Sequence, residues 1–130
     1  STEIVGYAYA GPLHARAAYA WSVETSIYVK KSEKKSGIGK ALYSALEKVL
    51  AAQNITNVNA CIASPETDDE YLNHNSIQFH QHLGYSMIGE FHKCAYKFGR
   101  WYNITWMEKI IDSHHQEQPA MIPFPEVTKL

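Results

Sequence analysis

The sequence has few cysteines and almost no net charge. Each of these features argues against a class of protein. Cys61 and Cys94 are the two cysteines in 130 residues, and they form no CxxC pair, so a disulfide framework is not expected. This cysteine usage favours a reduced, cytoplasmic setting. The 12 basic and 13 acidic residues leave a net charge of −1. That balance argues against a nucleic-acid partner, because such proteins usually carry a basic excess.

Long apolar runs are missing as well. No run approaches the roughly 20 residues that a membrane span requires, and no secretory signal is recognisable, so we expect no membrane partner. The chain does have an ordinary globular balance, with 45% hydrophobic and 19% charged residues. Its 130 residues suit one domain with a single core.

The spacing of the apolar residues predicts an alternation of strands and helices. Strands are predicted over residues 4–10, 17–29, 58–62, 85–91 and 101–107, and helices over residues 38–53 and 76–83, the second capped by Gly84. This order predicts a mixed α/β sheet. The polar, proline-bearing residues 112–130 are predicted to form an irregular tail after one domain over residues 1–111.

A glycine- and lysine-rich loop, KKSGIGK, joins the second predicted strand to the first predicted helix. Such a loop leaves backbone N–H groups unpaired at the helix start, where the helix dipole adds roughly half a positive charge. Gly37 and Gly39 have no side chain that would block a ligand, and Lys34, Lys35 and Lys40 add positive charge. The loop therefore favours a phosphate ligand. A solvated, lysine-rich turn is an equally good reading of the loop alone.

Three phosphate-binding motifs can be compared with this loop. KSGIGKAL has neither the spacing of a Walker loop nor the hydroxyl residue that follows its lysine. It also lacks the third glycine of the dinucleotide fingerprint GxGxxG. The acetyl-coenzyme A loop begins with Arg or Gln and ends in Gly-x-Gly or Gly-x-Ala, and KKSGIG matches it apart from Lys34 at the first position.

Several further segments resemble the GNAT superfamily of N-acetyltransferases. NHNSIQFHQHLGY is similar to the superfamily pattern N-x-x-S-x-x-x-Y-x-x-x-G-F. AGPLHARAAYAWSVETSIYV and YKFGRWYNITWMEK resemble the GPFRxRxAY, VExSVYV and KFGRW segments of the branch that acetylates phosphinothricin and methionine sulfoximine. The resemblance covers about residues 4–111, with its motifs in the right order.

The resemblance implies a V-shaped mixed sheet whose two central parallel strands splay apart and admit acetyl-coenzyme A. A strand, two helices and another strand normally come before this part of the fold, and the sequence does not contain them, so we expect the C-terminal two-thirds of the fold. Loop amides are implied to bind the pyrophosphate, and a strand edge the pantetheine arm. The implied cofactor-binding residues are Ile27, Tyr28, Val29, Lys34, Lys35, Ser36, Gly37, Ile38, Gly39, Lys40, Asn75 and Ser76.

The resemblance also implies catalytic roles. Glu24 matches the proposed general base, with a solvent-facing strand carboxylate as the alternative reading. His80 stands where many members carry a tyrosine that protonates the thiolate. It could donate a proton as imidazolium, share in deprotonating the amine, or simply pack beside the cofactor. The backbone amide of Tyr28, or of its neighbour, is expected to hold the oxyanion.

No metal and no covalent nucleophile are expected. His80 and His82 are two positions apart on a helix and so point in different directions. Cys61 lies in an alternating strand, where a small core residue is the commoner role. The implied reaction is direct acetyl transfer within a ternary complex.

The acceptor and partner predictions come from the same branch. Arg16 matches one arginine that would hold a carboxylate, His14 replaces the other, and Tyr19 could line the pocket. The hairpin at residues 97–101 is interpreted as a tight turn that packs Trp101 at a homodimer interface. The favoured function is N-acetylation of a small amino acid such as phosphinothricin or methionine sulfoximine. The alternatives are another amine, such as a polyamine or a protein N-terminus, or a non-catalytic fragment that binds coenzyme A or dimerises.

Overall fold

The computed structural model describes residues 4–30, 32, 37–65 and 75–127. Its strands are β1 (Gly6–Pro12), β2 (Ser22–Val29), β3 (Asn57–Ser64), β4 (Ser86–Lys97) and β5 (Arg100–Ile110), and its two α-helices are α1 (Ile38–Ala52) and α2 (Asn75–His82). The strands form one sheet in the order β1-β2-β3-β5-β4. The predicted mixed α/β sheet and the predicted order of elements are therefore confirmed.

The chain divides into two compact units, Ser1–Val58 with Ile110–Leu130, and Asn59–Lys109. In the first unit β1 and β2 pair antiparallel, from Gly6 opposite Val29 to Pro12 opposite Val23. Helix α1 covers one face of this pair. A Cβ atom added at Gly6 would lie 3.1 Å from Leu42 Cδ1, so the helix packs closely because β1 presents only small residues to it.

The other face of the β1–β2 pair carries larger side chains. It is formed by the residues that alternate with the small ones, since successive residues of a strand point to opposite faces. We call it the tyrosine face; it is formed by Tyr7, Tyr9 and Gly11 of β1 and by Glu24, Ser26 and Tyr28 of β2. Tyr7 stacks on Tyr28 with 5.3 Å between ring centroids and lies 6.2 Å from the Tyr9 ring. All three tyrosines are about half exposed.

The second strand begins later than the sequence predicts. Residues Ala17–Tyr19 form a 3-10 turn, in which the Tyr19 N–H donates to the Arg16 carbonyl at 3.0 Å. The strand therefore starts at Ser22. Local hydrogen bonding outweighs the strand propensity of this apolar segment.

Helix α1 is defined at both ends by left-handed residues. It begins after Gly37, whose φ is 87°, and ends before Asn54, whose φ is 67°. The Ile55 N–H donates to the Leu50 carbonyl at 3.0 Å, the bond of a Schellman motif. The helix predicted over residues 38–53 is confirmed.

The segment after β5 is part of the first unit and is held there by hydrogen bonds. The Trp21 indole N–H donates to the Pro119 carbonyl at 2.7 Å, and the Asn54 amide donates to the Ala120 carbonyl at 2.8 Å. The Ile122 N–H donates to the Gln53 carbonyl at 3.0 Å. The described part of this segment is irregular apart from a 3-10 turn at Phe124–Glu126. These bonds fix it to Trp21 and to the residues that follow α1.

In the second unit, β4 and β5 form a hairpin that ends in a two-residue turn. Lys97 pairs with Arg100, and the two residues between them, Phe98 and Gly99, have φ values of 56° and 71°. Positive φ at both positions is typical of a type I′ turn. The tight turn predicted here is confirmed.

Helix α2 ends in a second Schellman motif. Gly84 has a φ of 98°, its N–H donates to the Gln81 carbonyl at 3.0 Å, and the Tyr85 N–H donates to the His80 carbonyl at 2.9 Å. This confirms the predicted glycine cap. The buried apolar residues of this unit are Ala60, Ile62, Ile77, Tyr85, Tyr102 and Met107.

Cys61 corrects one expectation, because it is exposed rather than in the core. Val58, Ala60 and Ile62 occupy the buried face of β3, and alternation places Cys61 on the opposite face. Among the described helices, none combines the length and the apolar character needed to cross a membrane.

Candidate active site

Glu24 lies on the tyrosine face, directly opposite Gly11. Its side chain is half-buried, and a Cβ atom added at Gly11 would meet no atom within 4 Å. Open space therefore adjoins the carboxylate. No hydrogen bond or ion pair joins this carboxylate to another residue in the part of the chain that the structure describes. A carboxylate in this setting is available to accept a proton from a bound molecule.

The hydrogen-bond pattern of the β1–β2 pair fixes the direction of each backbone amide of β2. In an antiparallel pair, hydrogen-bonded residue pairs alternate with pairs that exchange no bonds. The Lys30 N–H donates to the Val5 carbonyl at 2.6 Å, and Tyr28 stands two residues earlier, opposite Tyr7. The Tyr28 amide is therefore directed towards β1.

The sequence predicts the amide of Tyr28 or of its neighbour as the oxyanion donor, and this direction favours the neighbour. The amides of its neighbours Ile27 and Val29 point away from β1, because their pairs do not exchange hydrogen bonds with that strand. Among the three implied cofactor-binding residues of β2, these two therefore present backbone N–H groups on the side away from β1. The sequence alone could not show which of these three amides points away from β1, because that direction depends on how β2 pairs with β1.

The first turn of α1 presents backbone donors. The first helical hydrogen bond runs from the Ala41 N–H to the Gly37 carbonyl at 3.1 Å, so the N–H groups of Ile38, Gly39 and Lys40 have no carbonyl within the helix. Gly37, at the N-cap position, has no side chain that could cap the helix, and no acidic residue lies in the first turn. This helix start suits an anion. Lys34, Lys35 and Ser36 lie outside the described residues.

Three predicted acceptor-site residues come together in the turn between β1 and β2. The Arg16 N–H donates to His14 Nδ1 at 3.3 Å, and the His14 and Tyr19 rings lie 4.9 Å apart at an angle of 51°. All three side chains are exposed. The Arg16 guanidinium makes no hydrogen bond or ion pair with any other described residue, so this charge is available to a ligand.

His80 lies in α2 with only 2% of its surface exposed. Its Nδ1 lies 2.7 Å from the Ser76 carbonyl, and since a carbonyl can only accept, Nδ1 carries the proton. The ring packs edge-on against Phe79 at 5.4 Å and against Tyr85 at 5.0 Å.

Burial lowers the pKa of His80 below 6.5, although the hydrogen bond to Ser76 acts to raise it. The ring is therefore neutral at pH 7, with Nε2 as its accepting nitrogen. This state fits the role of proton acceptor better than that of imidazolium donor.

The other two predicted residues of this region lie at the start of α2. Ser76 is exposed, and Asn75 begins α2. Within the described residues, no group of three or more metal-ligating side chains occurs.

Comparison with known proteins places this geometry in context. The family model of the acetyltransferase (GNAT) domain matches residues 1–106. The phosphinothricin N-acetyltransferase of Streptomyces coelicolor is 38% identical over 109 residues, which are 84% of this chain and 60% of that protein. The L-methionine sulfoximine/L-methionine sulfone acetyltransferase of Pseudomonas aeruginosa is 32% identical over 110 residues, 85% of this chain and 60% of that protein.

Two solved structures are similar as well. An acetyltransferase from Salmonella typhimurium, solved with its cofactor acetyl-CoA, has a TM-score of 0.76 and 28% identity over 89% of this chain and 62% of its own. A phosphinothricin acetyltransferase from Sinorhizobium meliloti, in complex with acetyl-CoA, has a TM-score of 0.68 and 31% identity over 82% of this chain and 54% of its own. The chain thus spans about 60% of the length of the curated relatives named above.

Proposed function

The chain belongs to the acetyltransferase (GNAT) domain family, and from this premise we propose that it transfers an acetyl group from acetyl-coenzyme A to the amine of a small amino acid. The observation that carries the proposal is the half-buried Glu24 carboxylate beside the open space at Gly11. A proton acceptor with space beside it is what an incoming ammonium group requires.

The cofactor site that we propose is built on the start of α1 and the edge of β2. The amides of Ile38, Gly39 and Lys40 would hold the pyrophosphate, together with the loop residues Lys34, Lys35, Ser36 and Gly37. Gly37 has room for a close ligand, since a Cβ atom added there would meet nothing within 4 Å. These features fit acetyl-coenzyme A, which supplies the acetyl group as a thioester.

The remaining cofactor contacts are assigned by the same proposal. The backbone of Ile27 and Val29 would pair with the pantetheine arm, because these residues direct their amides away from β1. The same amides are the candidate oxyanion donors. Asn75 and Ser76, at the start of α2, would line the other side of the cofactor.

Proton removal is the main task of the catalytic residues. The ammonium group of a free amino acid titrates near pH 9 to 10, so roughly one molecule in a hundred to a thousand is neutral at pH 7. The Glu24 carboxylate would take this proton, directly or through a water. His80 would serve as a second proton acceptor at Nε2, since burial keeps its ring neutral. The neutral amine would then attack the thioester carbonyl directly within a ternary complex, the carbon–sulfur bond would break, and the departing coenzyme A thiolate would take up the proton that the nitrogen loses on acylation.

The acceptor would be held by the β1–β2 turn. The Arg16 guanidinium suits an α-carboxylate because it can donate two parallel hydrogen bonds. Tyr19 would pack beside the acceptor, next to the His14 ring. The names of the curated relatives support an amino-acid acceptor of the phosphinothricin or methionine sulfoximine type.

We further propose that the protein acts as a cytoplasmic homodimer. Phe91, Tyr96 and Trp101 of the β4–β5 hairpin are more than half exposed, Tyr96 and Trp101 are in contact, and exposed apolar surface of this kind is typical of a protein interface. Both cysteines are exposed thiols, which suits a reducing compartment.

Calorimetry with acetyl-coenzyme A, together with a thiol-release assay, tests the proposal. The amine panel contains methionine sulfone, methionine sulfoximine, phosphinothricin, a polyamine and a peptide with an N-terminal alanine. We expect micromolar binding and turnover of at least one amino acid. Glu24→Gln should lower kcat about 100-fold or more between pH 6 and 9 without weakening acetyl-coenzyme A binding.

Ser26→Ala, on the same face of β2, is the matched control and should leave kcat within about twofold of wild type. Binding of acetyl-coenzyme A with no turnover of any amine would favour a binding fragment. Turnover of the polyamine or the peptide alone would replace the amino-acid acceptor with another amine.

A further inference from the structure

We propose that the C-terminal segment, residues 111–127, positions the acceptor site, and that Trp21 is the positioning residue through which it acts. The segment fixes the turn between β1 and β2, and this turn carries Arg16, the proposed partner of the acceptor carboxylate. The inference rests on the proposed acetyl transfer. It gives a role to a segment that lies beyond residues 1–106, the part of the chain that the family model matches.

The turn between β1 and β2 has little of its own to hold it in place. Residues 12–19 are all exposed, so no burial of side chains fixes them. In the described part of the chain, the hydrogen bonds of residues 14–20 stay within the turn; the Tyr19 N–H, for example, donates to the Arg16 carbonyl at 3.0 Å. Local bonds of this kind give the turn its shape, but they do not fix its position on the protein.

Trp21 follows the turn directly and is bonded to distant parts of the chain. Its indole N–H donates to the Pro119 carbonyl at 2.7 Å. Its own carbonyl accepts the N–H groups of Thr56 at 3.0 Å and of Asn57 at 3.2 Å. The side chain is half-buried and stands five residues after Arg16. A contact that holds the indole therefore limits how far the turn can move.

The C-terminal segment is suited to hold the indole because it is anchored on both sides of Pro119. Before this residue, the Ile111 N–H donates to a carbonyl of the α1–β3 connection at 2.8 Å. After it, the Asn54 side-chain amide donates to the Ala120 carbonyl at 2.8 Å. The ring of Pro119 also fixes its own φ, which stiffens the backbone at this point. The Pro119 carbonyl is thus a well-fixed acceptor for the indole.

These contacts lie at the opposite ends of β2 and α1 from the proposed cofactor site. Trp21 precedes β2 and Asn54 follows α1, whereas the proposed cofactor contacts are near Tyr28 and at the start of α1. With about 3.3 Å per residue in a strand and about 1.5 Å in a helix, both separations are about 20 Å. Loosening the segment should therefore weaken acceptor binding and leave cofactor binding unchanged.

Trp21→Phe tests the inference, because it keeps an aromatic ring and removes the N–H group. We expect the KM for methionine sulfone to rise about fivefold, the factor that one ordinary hydrogen bond contributes, since a looser turn loses more freedom when the acceptor binds. The kcat and the dissociation constant of acetyl-coenzyme A should stay within about twofold of wild type. The Tyr19 and Ala20 amides should exchange with deuterium about fivefold faster, because the turn opens more often.

Asn54→Gly is a second variant that acts on the same segment from its other anchor. Asn54 has a φ of 67°, a conformation that glycine adopts readily, so α1 can end as before while the bond to Ala120 is lost. We expect the same changes in the same direction, with the acceptor KM about two- to fivefold higher. Trp106→Phe, the same substitution at a half-buried tryptophan of β5, is the control and should leave this KM within about twofold of wild type.

The outcomes separate this inference from the proposed function. An unchanged acceptor KM in Trp21→Phe overturns it, and so does a higher KM without faster exchange at Tyr19 and Ala20. An equal loss of acetyl-coenzyme A affinity also overturns it, because that is the result of general destabilisation. If wild type does not turn over methionine sulfone, the proposed function fails for this acceptor and the exchange rates decide alone. Faster exchange in Trp21→Phe but not in Trp106→Phe then supports the inference, and equal rates overturn it.

Discussion

At the scale of single residues, Gly11 determines how much space adjoins Glu24. We expect Gly11→Val to raise the acceptor KM about tenfold, because the new side chain enters the open space opposite the carboxylate. Acetyl-coenzyme A binding should not change. Steady-state kinetics with methionine sulfone measures the effect.

Gly89→Val is the matched control for this substitution. Gly89 also lies in a strand, and a Cβ atom added there would meet nothing within 4 Å, but β4 carries none of the proposed acceptor residues. An unchanged KM in Gly11→Val would show that the acceptor lies elsewhere.

His80 gives a prediction about pH and stability. Its pKa is below 6.5 in the folded protein, so as the pH falls below 6.5 the unfolded chain takes up the proton first. The free energy of unfolding should therefore fall with decreasing pH in this range, by up to about 1.4 kcal/mol per pH unit from this residue, until the pH passes below the pKa of folded His80.

Urea denaturation at pH 5 and pH 8 measures this contribution as the difference between wild type and His80→Gln. His82→Gln, at an exposed position of the same helix, is the control and should retain the full wild-type pH dependence. Equal pH dependence in wild type and His80→Gln would mean that the buried ring does not govern acid stability.

Residue positions could be predicted from the sequence where they depend on local geometry. Strand alternation in the sequence is enough to place Glu24, Ser26 and Tyr28 on one face, where the structure has them. The direction of the Tyr28 amide could not be predicted, because it depends on which residues of a distant strand pair with it. Tyr7 and Tyr9 were missed for the same reason, although the alternation in GYAYAG was a usable signal.

At the scale of elements, the contact between β1 and α1 depends on the absence of a side chain at Gly6. A Cβ atom there would lie 2.9 Å from the Tyr28 carbonyl oxygen and 3.1 Å from Leu42 Cδ1. We expect Gly6→Ala to lower the free energy of unfolding by about 1–3 kcal/mol, the usual cost of overpacking. It should also weaken acetyl-coenzyme A binding, because the methyl group would displace the Tyr28 carbonyl and crowd Leu42, and both β2 and α1 carry proposed cofactor contacts.

Gly11→Ala is the internal comparison, since Gly11 lies in the same strand but faces open space. Urea denaturation should show it within about 0.5–1 kcal/mol of wild type, the range for a surface strand position. If both alanine variants were equally stable, close packing of α1 on β1 would not be what the glycine provides.

Element boundaries were predicted less well than element types. The last two strands were expected over residues 85–91 and 101–107, but β4 and β5 extend to the two-residue turn that joins them. The exposed, polar residues near Lys93 give no apolar alternation. They are strand residues because the hairpin continues across a bulge, where the Lys93 N–H donates to the Asn103 side chain at 2.9 Å. Such pairing is set by the partner strand rather than by propensity.

At the scale of the whole molecule, the order of elements and the family could both be predicted from the sequence, because their motifs stand at separate places along it. The alternation of strands and helices predicts a mixed sheet, and the loop KKSGIGK locates the start of α1. The acceptor is less determined, because the residues proposed to bind it lie in a turn whose contacts among His14, Arg16 and Tyr19 depend on the folded backbone. A pattern of residue types does not contain that information.

Self-association is the prediction that concerns the molecule as a whole. Tyr96 and Trp101 form a cross-strand pair with 5.0 Å between ring centroids, and both are more than half exposed. If this surface joins two copies, sedimentation equilibrium should give about twice the chain mass of 14.7 kDa. Trp101→Glu should weaken association about 100-fold or more, because it places a charge in an apolar contact.

Phe124→Glu provides the control, since Phe124 is an equally exposed aromatic residue that belongs to the C-terminal segment and not to the hairpin. It should leave the dimer intact, because exposure of one aromatic ring is common on protein surfaces and requires no partner. A monomeric wild type at micromolar concentration, or equal weakening by both substitutions, would contradict the hairpin interface. Loss of association in Trp101→Glu alone would assign the interface to the β4–β5 hairpin, the aromatic segment that the sequence had singled out.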